Sequence, residues 1–145
     1  MIQFGTNDAK TFNWNKTAFI DDYTDLVESF KNKAKKPTIF INKPPPFYSN
    51  ISWFNIQPDV VNHELPRDVA NVARRTNSRI IHVYEAMGGQ KLLKPQLMFT
   101  PGKPVNPPND GCHPNDIGYK IIARTVATEL LDVLLQYADL VRMIG

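Results

Sequence analysis

Hydrophobic and polar positions along the chain follow two rhythms, one short and strand-like, the other with helical spacing. The run Met1, Ile2, Gln3, Phe4 is mostly apolar and stops at Gly5, as a buried strand entering a tight loop would. Phe19, Tyr23, Leu26, Val27, Phe30 and Ala34 then recur every three or four residues, predicting a first helix that Thr17 would cap. Residues 38–41 are β-branched and apolar and predict a second strand. It must leave the sheet at Lys43-Pro44-Pro45-Pro46, because proline has no N–H for a ladder. Pro58 can open a second helix with Val61, Leu65, Val69, Val72 and Ala73 on its apolar face, kinked at Pro66. Residues 79–84 predict a third strand carrying His82 and Tyr84, broken by Gly88-Gly89. Residues 90–109 are rich in Pro and Lys without a period, and read as a long surface loop of the kind that often carries function. The last helix begins near Asn115 and runs through Ile117, Ile121, Ile122, Val126, Leu130, Val133 and Leu134.

Strand, helix, strand, helix, strand, loop, helix is the order of parallel βαβ units with helices on both faces of a sheet. Ligands in such sheets bind outside the carboxyl ends of the strands. Gly5-Thr6-Asn7-Asp8 and Asp110-Gly111-Cys112-His113 are expected there. Composition narrows the picture further. With 42% hydrophobic residues and a net charge of +3 the chain can bury a core, so a disordered tail is excluded. No apolar stretch is long enough for a membrane span, and the start lacks the basic, then apolar, pattern of a secretory signal. The compartment therefore stays unassigned, with the cytosol as the default expectation. One cysteine, Cys112, excludes an intrachain disulfide and a cysteine-based metal site. Lys31, Lys33, Lys35 and Lys36 follow Asp21, Asp22, Asp25 and Glu28, which is how a solvated helix complements its dipole; no nucleic-acid partner is expected.

The candidate chemistry is compact. Asp110 and His113 lie three residues apart, where a turn can set a carboxylate against one ring nitrogen and leave the other as a general base; the same residue types also fill ordinary turns. Asn7, on a Gly5-Thr6 turn, could donate its amide to a developing oxyanion or simply form an Asx turn. Cys112 adjoins His113 and so points poorly at a common centre, which favours a filler of the turn over a nucleophile. His63, His82 and His113 have no metal-ligand spacing. Phe47, Tyr48 and Trp53 could line an acyl or sugar pocket or pack the loop.

Taken together, Gly5-Thr6-Asn7-Asp8 and Asp110-Gly111-Cys112-His113-Pro114-Asn115 resemble the GxND and DxxHP blocks of the SGNH (GDSL) hydrolases. The resemblance implies a three-layer α/β/α, flavodoxin-like parallel sheet. It also implies ester hydrolysis through a Ser-His-Asp triad, with Asp110 and His113 as catalytic residues and Asn7 in the oxyanion hole. It calls for no cofactor or metal. Trp14, the Pro44-Pro45-Pro46 loop and Leu92-Leu93-Lys94-Pro95 look like its sugar acetylesterase branches, which implies a small ester, such as an acetylated sugar, as substrate.

The family's nucleophile lies in a G-D-S block upstream of GxND, and none of Ser29, Ser49, Ser52 and Ser78 is preceded by Gly-Asp. The expectation is a single domain over 1–145 that is N-terminally incomplete and lacks the family's first two strands. Its Met1 to Phe4 strand would be an open apolar edge, fit to pair with the missing segment or with a second copy. The alternative expectation is a non-catalytic binding or assembly protein built on the same fold.

Overall fold

The computed structural model describes residues 1–48, 55–89, 95–98, 103 and 109–144. The first helix, α1 (Lys16–Lys31), is capped by Asn15 rather than Thr17: Asn15 has extended backbone angles, and its Oδ1 accepts the Ala18 N–H at 3.1 Å. Its buried face is Phe19, Ile20, Tyr23 and Val27. Strand β1 (Phe40–Asn42) pairs in parallel with β2 (Arg79–Ile81), with Phe40 opposite Arg79 and Asn42 opposite Ile81. The fold is therefore mixed α/β around a small parallel sheet.

The first run departs from the buried strand expected. Only Ile2 joins the sheet, through one parallel bridge to Ile41; its N–H reaches Phe40 O and its carbonyl accepts the Asn42 N–H, both at 2.8 Å. Met1 and Phe4 are 66% and 50% exposed, because no described residue pairs with the outer side of this edge and the chain turns away at Gly5. Gly5 has φ +126°, and a Cβ there would lie 2.5 Å from Leu65 Cδ1. Glycine is required twice over, by backbone angle and by the close approach of the core.

Side-chain alternation along β1 distributes the core. Ile39 and Ile41 join Phe19, Tyr23 and Val27 of α1 and Leu65, Val69 and Val72 of the second helix; Phe40 and Ile81 join Met87, Met98 and the last helix. Each fully buried Ile or Leu in these clusters contributes roughly 1.5–3 kcal/mol. That second helix begins with a π-helical turn, Val60–Glu64, followed by α2 (Leu65–Arg75). Pro66 thus follows directly on the π-helical turn, inside a helical run that begins at residue 58.

The third strand is shorter than expected. It stops at Ile81, and His82 leads into a one-turn helix, α3 (Val83–Ala86), so His82 and Tyr84 are not strand residues. Glu85 and Ala86 favour the helical turn, and Gly88 and Gly89 close it at φ +106° and +51°. Within 90–109 a 3-10 turn, Pro95–Leu97, places Leu97 and Met98 in the core, so that segment is not wholly surface. Residues 92–94, like Trp53, Ser49 and Ser52, lie outside the described residues. The last helix, α4 (Asp116–Ile144), starts where expected, with Asn115 Oδ1 accepting the Ile117 and Gly118 N–H groups at 3.0 Å. Among the described residues no helix is long and apolar enough to cross a membrane.

Candidate active site

A tight turn at 110–113 builds the acid–base pair from local contacts. Gly111 adopts φ +76°, which folds the chain back so that one Asp110 oxygen, Oδ1, accepts the N–H groups of Cys112 and His113, each at 2.8 Å. The other oxygen, Oδ2, lies 2.7 Å from His113 Nδ1. Asp110 is fully buried, while the His113 side chain is 51% exposed. Burial alone would push the Asp110 carboxyl up. The His113 backbone N–H, the His113 ring and the Cys112 N–H together outweigh it and hold the group below its ordinary value of 3.8. Asp110 is then an ionised acceptor at neutral pH, so Nδ1 carries the proton. The free lone pair belongs to Nε2, which has no partner among the described residues.

His113 opens onto a groove of about 310 Å³ whose walls include Asn7, Thr6, Gln3, Cys112 and Tyr119. The structure thus brings Asn7 and His113, from opposite ends of the chain, to one cleft beside Pro45 in the loop that leaves β1. Asn7 is exposed on the 5–9 turn, which the Ala9 N–H closes onto Gly5 O at 2.9 Å. Chemically the cleft offers an imidazole base, a buried carboxylate bonded to it, and an amide group in the same groove.

Other candidates fall elsewhere. Burial, reinforced by the charge of Asp110, pushes the Cys112 thiol up to about 11, so it stays protonated and packs beside Phe47, Ile56 and Val61. Phe47 is 3% exposed and belongs to the core, and Tyr48 is bound through its hydroxyl to Met87 O at 2.7 Å. His63 and His82 lie beside Asp59 and Glu85, away from His113. Ser29 bonds Leu26 O within α1, and Ser78 bonds Thr76 at the amino end of β2; neither borders the groove. A second cavity, about 270 Å³, runs between Phe4, Trp14, Phe19 and Tyr23, with Asp8 and Asp22 but no histidine on its walls.

One groove residue escapes motif reasoning. Gln3 lines the cleft, and its Oε1 accepts from Nδ2 of the buried Asn42, whose own Oδ1 has no partner among the described residues. The signal was a lone polar residue between Ile2 and Phe4, at the alternate position of a strand.

A histidine hydrogen-bonded to a buried aspartate thus shares its groove with an exposed asparagine. The chain belongs to the GDSL-like Lipase/Acylhydrolase family, whose model matches residues 1–121. No curated protein matches the chain.

Proposed function

We propose that this chain supplies the base, orienting carboxylate and oxyanion donor of an ester hydrolase whose nucleophilic serine is none of Ser29, Ser49, Ser52 and Ser78. The observation that carries the reading is the 2.7 Å contact between buried Asp110 and His113 in the groove that Asn7 also lines. In the reaction, His113 Nε2 takes the proton of the serine hydroxyl as its oxygen attacks the ester carbonyl. Asn7 holds the resulting oxyanion, and the proton passes to the leaving alcohol as the acyl-enzyme forms. Water then repeats the sequence and releases the acid. Asp110 keeps the ring in the Nδ1–H tautomer throughout. A short acyl group on a sugar-like alcohol suits the open groove.

The serine would arrive on a segment that adds to the Met1 to Phe4 edge and completes a three-layer α/β/α domain. Among the described residues the Gln3 backbone N–H and carbonyl have no hydrogen-bond partner, and the exposed side chains of Met1 and Phe4 offer apolar surface to cover. Without such a segment the same surface would serve binding or assembly instead.

The test is hydrolysis of a short-chain nitrophenyl ester by these 145 residues and by the form purified from the native source, identified by a peptide spanning 110–115 and its intact mass. The expected result is near-background turnover for the first. The native form should have a mass above 16.5 kDa and an activity that His113→Ala lowers at least about a thousandfold. Enzymic turnover by the 145 residues alone, lost in Ser49→Ala or Ser52→Ala, would put the nucleophile inside them and overturn the outside-serine reading. A native form without esterase activity would favour the binding protein.

A further inference from the structure

We infer that Asn62 is a positioning residue for the Asp110–His113 pair, acting through the backbone of Phe47 and Tyr48. The loop leaving β1 has few means of anchorage, since Pro44, Pro45 and Pro46 carry no N–H. Phe47 is the first residue able to donate. Asn62 meets it with both ends of its amide: Oδ1 accepts the Phe47 N–H and Nδ2 donates to the Phe47 carbonyl, each at 2.8 Å. A single side chain thus imitates a ladder rung and fixes the peptide on both sides of Phe47.

The next donor, the Tyr48 N–H, reaches Gly111 O at 2.9 Å. That carbonyl belongs to the same planar peptide unit as the Cys112 N–H, which donates to Asp110 Oδ1. Holding the oxygen of this unit therefore aims its N–H at the carboxylate. If the Tyr48 contact is lost, the Gly111–Cys112 peptide is free to rotate, Asp110 loses one of its three donors, and the carboxylate that orients His113 is loosened.

Asn62 is itself unusually placed. It lies in the π-helical turn Val60–Glu64, an arrangement frequent at functional sites. Pro66 cannot offer an N–H to the carbonyl four residues before it, that of Asn62, and the Tyr84 hydroxyl donates there instead, at 2.6 Å. Burial, together with the charge of Glu85 and the neighbouring Tyr48, pushes the Tyr84 hydroxyl up to about 12, so it remains a donor across the useful pH range. Side-chain clamp and substitute donor together hold one residue by both its amide and its backbone.

The test is NMR on the intact chain, following the Asp110 carboxyl titration and hydrogen exchange at the Cys112 amide. Among the described residues the titratable groups acting on Asp110 are His113 and Cys112. Asn62→Ala should move the Asp110 midpoint upward and speed Cys112 exchange about tenfold or more, with amide protection at Val27 and Val72 unchanged. Asn71→Ala, on the adjoining helix, should change neither. Tyr84→Phe should shift both signals the same way by less, and it decides the matter if Asn62→Ala does not fold. A folded Asn62→Ala with wild-type Asp110 titration and Cys112 exchange would overturn the inference, as would an equal response in Asn71→Ala. The catalytic consequence rests on the ester-hydrolase reading, whereas these signals do not. Altered signals with no esterase activity in the native form would reject that reading and leave the positioning role standing.

Discussion

Replacing Asp110 with Asn isolates the charge of the buried carboxylate from its shape. Asn keeps one acceptor oxygen for the Cys112 and His113 N–H groups, now 2.8 Å from Oδ1, but turns an NH2 toward His113 Nδ1. Hydrogen bonds to a charged acceptor contribute about 1.5–3 kcal/mol against about 0.5–1.5 for a neutral one, so the two backbone bonds each lose about 1 kcal/mol. The ring contact is half exposed and adds less, for a total loss of about 2–3 kcal/mol at neutral pH. The loss should depend on pH. The folded carboxyl titrates below its ordinary 3.8, so its stabilisation is complete above that value and disappears as pH falls through the folded one. Urea unfolding of both proteins from pH 7 downward should therefore show a constant gap to about pH 4 and a narrowing gap below it. A gap that is absent at pH 7, or that stays constant to the most acidic pH at which both proteins fold, would refute the charged-acceptor account.

Three further substitutions or modifications follow from local geometry. Gly5→Ala should cost about 2–5 kcal/mol in thermal unfolding, from a disallowed φ of +126° and a Cβ 2.5 Å from Leu65; a near-neutral effect would show that the 5–9 turn is not tightly held. Gly118→Ala improves helix propensity by about 1 kcal/mol but places a Cβ 2.4 Å from Leu97 O. Overpacking should win by about 1–3 kcal/mol, and a stabilised variant would contradict the close packing of α4 on the 3-10 turn. Cys112, with its thiol raised to about 11, should react with iodoacetamide at pH 8 at least about tenfold more slowly when folded than in urea; equal rates would mean the thiol is open and ionised.

The long helices were legible because their apolar spacing is sustained: Phe19, Tyr23 and Val27 on α1, Ile121, Ile122 and Val126 on α4. Boundaries decided by competition were not. Thr17 and Asn15 are both good caps, and only the extended backbone of Asn15 selects it. Residues 79–84 have strand composition throughout, yet Glu85 and Ala86 favour a helical turn from Val83, which the two glycines close, and His82 and Tyr84 leave the sheet. The π-helical turn has no sequence rhythm of its own, so Asn62 looked like any polar helix residue. At the candidate site, the spacing of Asp110 and His113 allowed a local contact but fitted an ordinary turn equally well, and only the resemblance to the DxxHP block favoured the pair. That Asn7 shares their groove depended on how the sheet and the last helix meet, which spacing cannot state.

The turn that holds Asp110 against His113 closes over three residues and draws its donors from its own backbone. In kinetic terms this is contact of very low order. Loops of about ten residues already close in roughly 10–100 ns, and a shorter one asks for little of the rest of the chain. The contact itself can therefore close early in folding, while the Tyr48 bond that holds its Gly111 carbonyl and the cleft it serves wait for distant parts of the chain to meet. In evolutionary terms the pair travels with 110–113, but the clamp that aims it travels only with Phe47, Tyr48 and Asn62.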